Sequence, residues 1–229
     1  MITEPSIFLK THHLSKQVKS AESEIHILRD INLTIETGES VAILGASGSG
    51  KTTLLTILAG LQLPSKGKIE FLGHSLEALS EEQRAVIRGQ NVGFIFQSFQ
   101  LLPTLTALEN VMLPLEIQFT KTAIAKKKAQ EWLEHVGLKE RLHYYPNKLS
   151  GGEQQRVAIA RAFVVQPKII FADEMTGNLD QETGKIITDI LFSINKSENT
   201  TLVLVTHDNE LAKRCNRQLL LHEGILKSC

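Results

Sequence analysis

The sequence predicts an α/β fold: a core with a mainly parallel sheet, an N-terminal antiparallel β subdomain, and an α-helical subdomain over residues 98–165, inserted between core segments 1–97 and 166–229. Three observations predict it. The short runs SVAIL, VGFIF, KIIFA and TLVLVT are continuously apolar and rich in β-branched residues, as strands covered on both faces are. Residues 5–43 read as β-rich. From about 98 to 165 the signals turn helical.

The elements follow in order. IFLKTHHL and HILRDINLTIETGESVAIL are strands, with a Thr-Gly-Glu turn inside the second stretch. A glycine-rich turn begins at Gly45, and the helix KTTLLTILAGL is stopped by Gly60 and Pro64. KGKIEFLG is a further strand, and Ser80 with Gln83 makes a capping box for EEQRAVIRG. After VGFIFQ, Thr106 with Glu109 caps ALENVMLPL, AIAKKKAQEWLEHV ends at Gly137, and Ser150 with Glu153 starts EQQRVAIARAF. The helix QETGKIITDILFSINK separates the strands KIIFA and TTLVLVT. The run Lys126-Lys127-Lys128 reads as the solvated face of its helix.

A chain of 229 residues with 25 Lys+Arg against 25 Asp+Glu is neutral, so it lacks the basic surplus that nucleic-acid or acidic substrates demand. Its two cysteines, Cys215 and Cys229, are too few for a disulfide framework or a thiolate metal site, which fits a reducing compartment. No apolar stretch reaches the roughly 18–20 residues that span a bilayer. The N-terminal residues MITEPSIFLKTHH lack a signal-peptide organisation. The expectation is a soluble, cytoplasmic chain that reaches a membrane through a partner.

GASGSGKT, Gly45 to Thr52, matches G-x-x-x-x-G-K-[ST] with a strand before it and a helix after it. Gly45, Gly48 and Gly50 let backbone N–H groups converge on phosphate oxygens at a helix N-terminus, with Ala46, Ser47, Ser49 and Thr53 completing the cradle. Lys51 reaches the β- and γ-phosphates, and Thr52 offers a hydroxyl to magnesium. Such a cradle gives a reason for the adjacent acids in FADEMTGNLD. Asp173 holds magnesium, while Glu174 positions the attacking water. Gln97 and His207 also follow apolar strands, where an open α/β sheet places its ligand.

At LSGGEQQRVAIARA, Leu149 to Ala162, the sequence resembles the ABC-type ATPases, whose P-loop, glutamine, signature, acid pair, aspartate and histidine stand in this order. FQSFQLLPTLTALENVMLPL and ADEMTGNLD resemble the branch of lipoprotein-releasing (LolD), macrolide-exporting (MacB) and YbbA-type ATPases, the YbbA type above all. The resemblance implies a homodimer sandwiching two ATP molecules, each between one copy's P-loop and the other's Ser150, Gly151, Gly152 and Glu153, with Asp180 facing the partner. It implies a membrane permease with few spans and a large extracytoplasmic region, and no nucleic acid. It also implies that Thr52, Gln97 and Asp173 organise magnesium, that Glu174 acts on water, and that His207 meets the γ-phosphate.

FQLLPTL, Phe99 to Leu105, is expected to form part of the groove receiving a permease helix. Two positions depart from the family pattern. Val18 stands where an adenine-stacking ring is usual, with Phe8, His12 or His13 as substitutes, and Met175 stands in place of proline. The short interval between Thr52 and Leu149 and the single cassette speak against the DNA-repair and translation members of the family.

Overall fold

The computed structural model describes residues 7–19 and 24–229; positions 5 and 6 of the expected β-rich start, and the first six residues of the N-terminal segment that lacks a signal organisation, lie outside these. In chain order the elements are β1 (Ile7–Lys19), β2 (Glu24–Glu36), β3 (Ser40–Leu44), α1 (Lys51–Leu58), β4 (Lys66–Phe71), β5 (His74–Ser75), α2 (Glu81–Asn91), β6 (Val92–Phe96), α3 (Ala107–Ile117), α4 (Thr122–His135), α5 (Gly151–Phe163), β7 (Ile169–Asp173), α6 (Gln181–Glu198), β8 (Thr201–Thr206), α7 (Asn209–Ala212), β9 (Arg217–His222) and β10 (Ile225–Ser228). They form two compact units, one of residues up to Arg88 with Thr201–Cys229, the other of Gly89–Thr200.

In the first unit, β1 runs antiparallel to β2, with Leu9 opposite Ile35, Thr11 opposite Leu33 and Leu14 opposite Ile31, and antiparallel to β4 on its other side. Leu9, Leu14, Ile31, Leu33 and Ile35 are buried, so alternation along these strands assigns one face to the core. The register shifts between Thr11 and Leu14, where His13 and Asp30 both adopt positive φ. Thr11 serves the backbone beside this bulge: its Oγ1 donates to Ile31 O at 3.0 Å and accepts from Leu33 N at 2.9 Å. β3 is buried along its whole length and pairs in parallel with β8 and β9, as its unbroken apolar run predicts.

The sequence reading missed the β9–β10 hairpin. Its turn is Glu223-Gly224, both at positive φ, flanked by LLLH and ILKS. Both cysteines are free, and burial pushes the Cys215 thiol up to about 12.

In the second unit, β6 and β7 pair in parallel from Val92 opposite Ile169 to Phe96 opposite Asp173. The expected capping boxes open α3 at Thr106–Glu109 and α5 at Ser150–Glu153. Trp132 of α4 stacks on Phe163 of α5, with ring centroids 5.6 Å apart. Asn110 is fully buried, and its amide donates to the carbonyls of Leu102, Leu105 and Thr106 while its Oδ1 accepts from Leu102 N. One side chain therefore satisfies the irregular backbone leading into α3, a role that no local pattern announces. Among the described residues no helix is long and apolar enough to cross a membrane.

Candidate functional site

The site residues expected from sequence fall into two groups, one in each unit. In the first unit the chain leaves β3 at Leu44, opposite Thr206 at the end of β8, so Gly45 and His207 emerge side by side from one sheet edge. The loop from Gly45 to Gly50 then turns into α1 through Gly50, whose φ of 98° serves as a left-handed N-cap. A Cβ on Gly45 would meet Leu221 O at 2.5 Å.

Ala46, Ser47 and Gly48 are exposed, and no acid occupies the first turn of α1, which leaves the positive end of its dipole open to an anion. Lys51 Nζ donates to Gly45 O at 2.8 Å and Ala46 O at 3.0 Å, folding the side chain back over the loop. Ser49 Oγ is buried with no hydrogen-bond partner among the described residues, a polar atom consistent with a ligand oxygen. His207 is exposed and followed by Asp208, which caps α7 by accepting from Glu210 N and Leu211 N.

β2 closes one flank of this loop, because a Cβ on Gly50 would lie 3.1 Å from Ile27 Cγ2. Ile25 stands opposite Val18 of β1, and both are exposed, while the register shifts at Ile27. At the position where the family pattern expects a ring, the exposed pair is thus aliphatic, Val18 with Ile25. Two of the suggested substitute rings are engaged elsewhere: Phe8 is buried edge-on against Phe71, and His13 Nδ1 lies 2.7 Å from Asp30 Oδ1.

In the second unit, Phe96 and Asp173 are register partners, so Gln97 and Glu174 leave adjacent strand ends together. Glu174 adopts a positive φ of 46°, and its carbonyl accepts from Gly177 N at 2.9 Å, which turns the chain sharply away from the strand. Asn178 ties this turn to Gln97, donating to Gln97 O at 2.9 Å while Gln97 Nε2 lies 3.4 Å from Asn178 Oδ1. Met175 is 1% exposed. Methionine in place of proline therefore supplies a packed core side chain, where proline would have supplied backbone restriction.

The signature lies in the same unit. Ser150 caps α5, and Glu153 Oε2 accepts from Ser150 N at 2.8 Å while Glu153 Oε1 pairs with Arg141 Nε at 2.9 Å. The Ser150 amide, more than the Arg141 guanidinium, holds the Glu153 carboxyl below its usual range. A Cβ on Gly152 would meet Thr183 Cγ2 at 2.6 Å, so the glycine allows α5 to approach α6 closely. Asp180 caps α6 by accepting from Thr183 N at 2.9 Å, and that backbone bond lowers its carboxyl pKa. Asp180 and Gly152 thus meet at Thr183.

Sequence reasoning missed Arg161. Near the end of α5, it donates from Nη1 to Gln100 O at 2.5 Å and from Nη2 to Phe99 O at 2.8 Å. Phe99 and Gln100 have φ of 61° and 52°, left-handed values that cost roughly 1–2 kcal/mol each for residues other than glycine. The arginine holds a strained segment two residues beyond Gln97. An arginine breaking the apolar run VAIARAF was the available signal.

The same unit contains an apolar cleft of about 300 Å³ lined by Val92 and Phe94 of β6, Leu113, Pro114 and Ile117 of α3, and Arg161. From Phe99–Leu105, Gln100 lines this cleft, while Leu102 is exposed. Asn110 and Arg161 anchor the backbone of that stretch.

Comparison with known proteins places these features in context. Residues 28–177 match the family model described as ABC transporter. The ABC transporter ATP-binding protein YbbA of Escherichia coli K12 is 51% identical over 219 residues, covering 96% of both chains. The lipoprotein-releasing system ATP-binding protein LolD of Legionella pneumophila strain Paris is 47% identical, covering 96% of this chain and 97% of its own. Among solved structures, the dimeric post-hydrolysis state of the ATP-binding cassette MJ0796, bound to ADP and Pi, superposes with a TM-score of 0.89 at 38% identity, covering 96% of this chain and 98% of that one. CbiO1 from Clostridium perfringens, part of the complex cbiONQ, gives 0.84 at 28% identity, covering 96% and 87%.

Proposed function

Because this chain belongs to the ABC transporter family, as an ATP-binding subunit of the YbbA and LolD type, we propose that it is a magnesium-dependent ATPase. In this reading two copies sandwich ATP and dock on an integral membrane permease with few spans and a large extracytoplasmic region, at the inner face of the cell membrane. Hydrolysis there drives export, extraction or mechanical signalling across the membrane. The observation that carries the reading is the paired strand ends: Gly45 beside His207 in one unit, and Gln97 beside Glu174 in the other. The functional division assigns 1–97 and 166–229 to the nucleotide-binding core and 98–165 to the signature subdomain.

The loop Gly45–Thr53 receives the phosphates on its amides and the N-terminus of α1, with Ser49 Oγ and Lys51 adding donors. Thr52, Gln97 and Asp173 offer a hydroxyl, an amide carbonyl and a carboxylate, the hard oxygen donors that suit magnesium. When bound, that ion neutralises charge on the β- and γ-phosphate oxygens. Glu174 accepts a proton from the attacking water, and His207 steadies the γ-phosphate. Ser150, Gly151, Gly152, Glu153 and Asp180 serve the partner copy's nucleotide. Glu153 does so by ordering the α5 N-terminus, since its carboxylate is already held by Ser150 and Arg141. The apolar cleft beside β6 receives a helix of the permease.

Glu174→Gln preserves shape while removing the basic carboxylate. ATP binding should persist, phosphate release should fall by on the order of 100-fold, and an ATP-bound dimer should accumulate on gel filtration. Turnover close to the parent's would refute the assignment.

A further inference from the structure

The helix α3 ends in a hydrogen-bond pattern that ordinarily takes glycine. Thr120 N donates to Leu115 O at 3.0 Å and Phe119 N to Glu116 O at 2.9 Å, the two bonds of a Schellman motif in which Phe119 holds the left-handed position, with φ of 57°. Phenylalanine there is strained, and its side chain is 95% exposed, so it returns nothing to the core. Ile117, 66% exposed, precedes it, and Ile124, 49% exposed, follows on the first turns of α4.

The charges around this turn are one-sided. From Ile117 to Gln130 the chain carries Lys121, Lys126, Lys127 and Lys128 and no acid. Lys121, Lys127 and Lys128 stand three or four residues from Ile124 and share its side of α4. All four lysines are exposed. The flanking acids are Glu116 and Glu131, and only Glu131 approaches a lysine, with Lys127 Nζ at 3.9 Å.

We propose that the α3–α4 turn is a membrane-contact element, which inserts Phe119 and Ile124 among the lipids of an anionic bilayer while Lys121, Lys126, Lys127 and Lys128 meet the headgroups. Two features select a bilayer over a protein partner. The turn projects its exposed aromatic side chain into solvent, whereas protein recognition of apolar anchors uses pockets that enclose them. Lysine is depleted from protein–protein interfaces, because its strongly hydrated ammonium on a flexible stem resists fixed pairing, but a fluid anionic surface asks for no fixed geometry. Ile117 also lines the apolar cleft of this unit, so the element sits at the rim of that cleft. The catalytic roles assigned above are not required for this contact.

The test is cosedimentation of the full chain with phosphatidylglycerol–phosphatidylcholine vesicles and with phosphatidylcholine vesicles alone. The parent should sediment with the anionic vesicles, should release as salt is raised, and should not sediment with the neutral ones. Phe119→Gly and the double change Lys127→Glu with Lys128→Glu should each raise the half-saturating lipid concentration by about tenfold. Phe119→Gly should keep or raise the thermal midpoint, since glycine is the unstrained residue at that position, which separates lost binding from lost folding. Basal ATPase in detergent-free buffer should be unchanged in both variants. Failure of the parent to sediment with anionic vesicles overturns the proposal, as does equal binding by Phe119→Gly. Sensitivity to the lysines alone also overturns it, because the contact would then lack the inserted ring.

Discussion

Arg161 offers the sharpest quantitative test of how the site is held. Its two hydrogen bonds, to Phe99 O and Gln100 O, join a cationic donor to carbonyls, an interaction of about 1.5–3 kcal/mol when sheltered and closer to the lower figure at this half-buried site. Against them stands left-handed strain at Phe99 and Gln100 of roughly 1–2 kcal/mol each. About 3 kcal/mol of bonding thus opposes about 2–4 kcal/mol of strain, and the segment is nearly balanced between its observed path and a relaxed one.

Arg161→Met keeps side-chain length and removes both bonds. Global stability should fall by no more than about 1 kcal/mol, because the freed strain offsets the lost bonds. With the bonds gone, the strain of about 2–4 kcal/mol on the observed path beyond Gln97 stands unopposed, so kcat should drop by roughly 30-fold or more. Arg161→Lys, able to make one bond, should lie between. The assays are steady-state phosphate release over a magnesium titration and urea unfolding of all three forms. A kcat within threefold of the parent would refute the positioning role, and a stability loss above about 3 kcal/mol would show Arg161 to be a core residue whose effect on turnover is indirect.

Three further outcomes are expected. The folded-state pKa of Glu153 is depressed below its ordinary 4.5 by the Ser150 amide, so its contribution to stability is present above that value and is lost as pH falls through the lower folded one. Glu153→Gln should therefore be less stable than the parent at neutral pH and should show a shallower loss below about pH 4.5 in urea titrations; parallel curves would sink the idea. Val18→Tyr should add a ring to the exposed pair Val18 and Ile25, and so tighten ATP about fivefold, equivalent to about 1 kcal/mol of stacking, while the parent should use ATP and GTP within a modest factor of each other; strong ATP preference in the parent with no gain in the variant would show that the base lies elsewhere. Leu113→Glu, in the apolar cleft, should lower recovery with the membrane fraction more than basal ATPase, and an equal fall in both would mark the cleft as core.

The cradle Gly45–Thr52, the strand-end residues Gln97, Asp173, Glu174 and His207, and the capping boxes at Thr106 and Ser150 are legible along the chain. Each rests on interactions spanning a few residues: a glycine turn, an apolar run of fixed period, or a side chain bonding an amide three positions on. The β9–β10 hairpin was legible too and was overlooked. What local pattern could not supply are pairings made only once distant segments pack. Arg161 reaches carbonyls 61 and 62 residues away, Asn178 reaches Gln97 across 81, and Gly152 is required by Thr183.

The position of the apolar cleft belongs to the same class. Leu101 and Leu102 are as apolar as the residues that line it and yet are not among them, and the backbone around them is fixed by side-chain bonds from Asn110 and Arg161. Hydrophobicity selects which residues seek burial and carries no direction, whereas hydrogen bonds are directional and decide which surface faces which. The amino-acid order therefore determined the chemistry this chain can perform, and tertiary packing decided how its reactive groups are aimed and held.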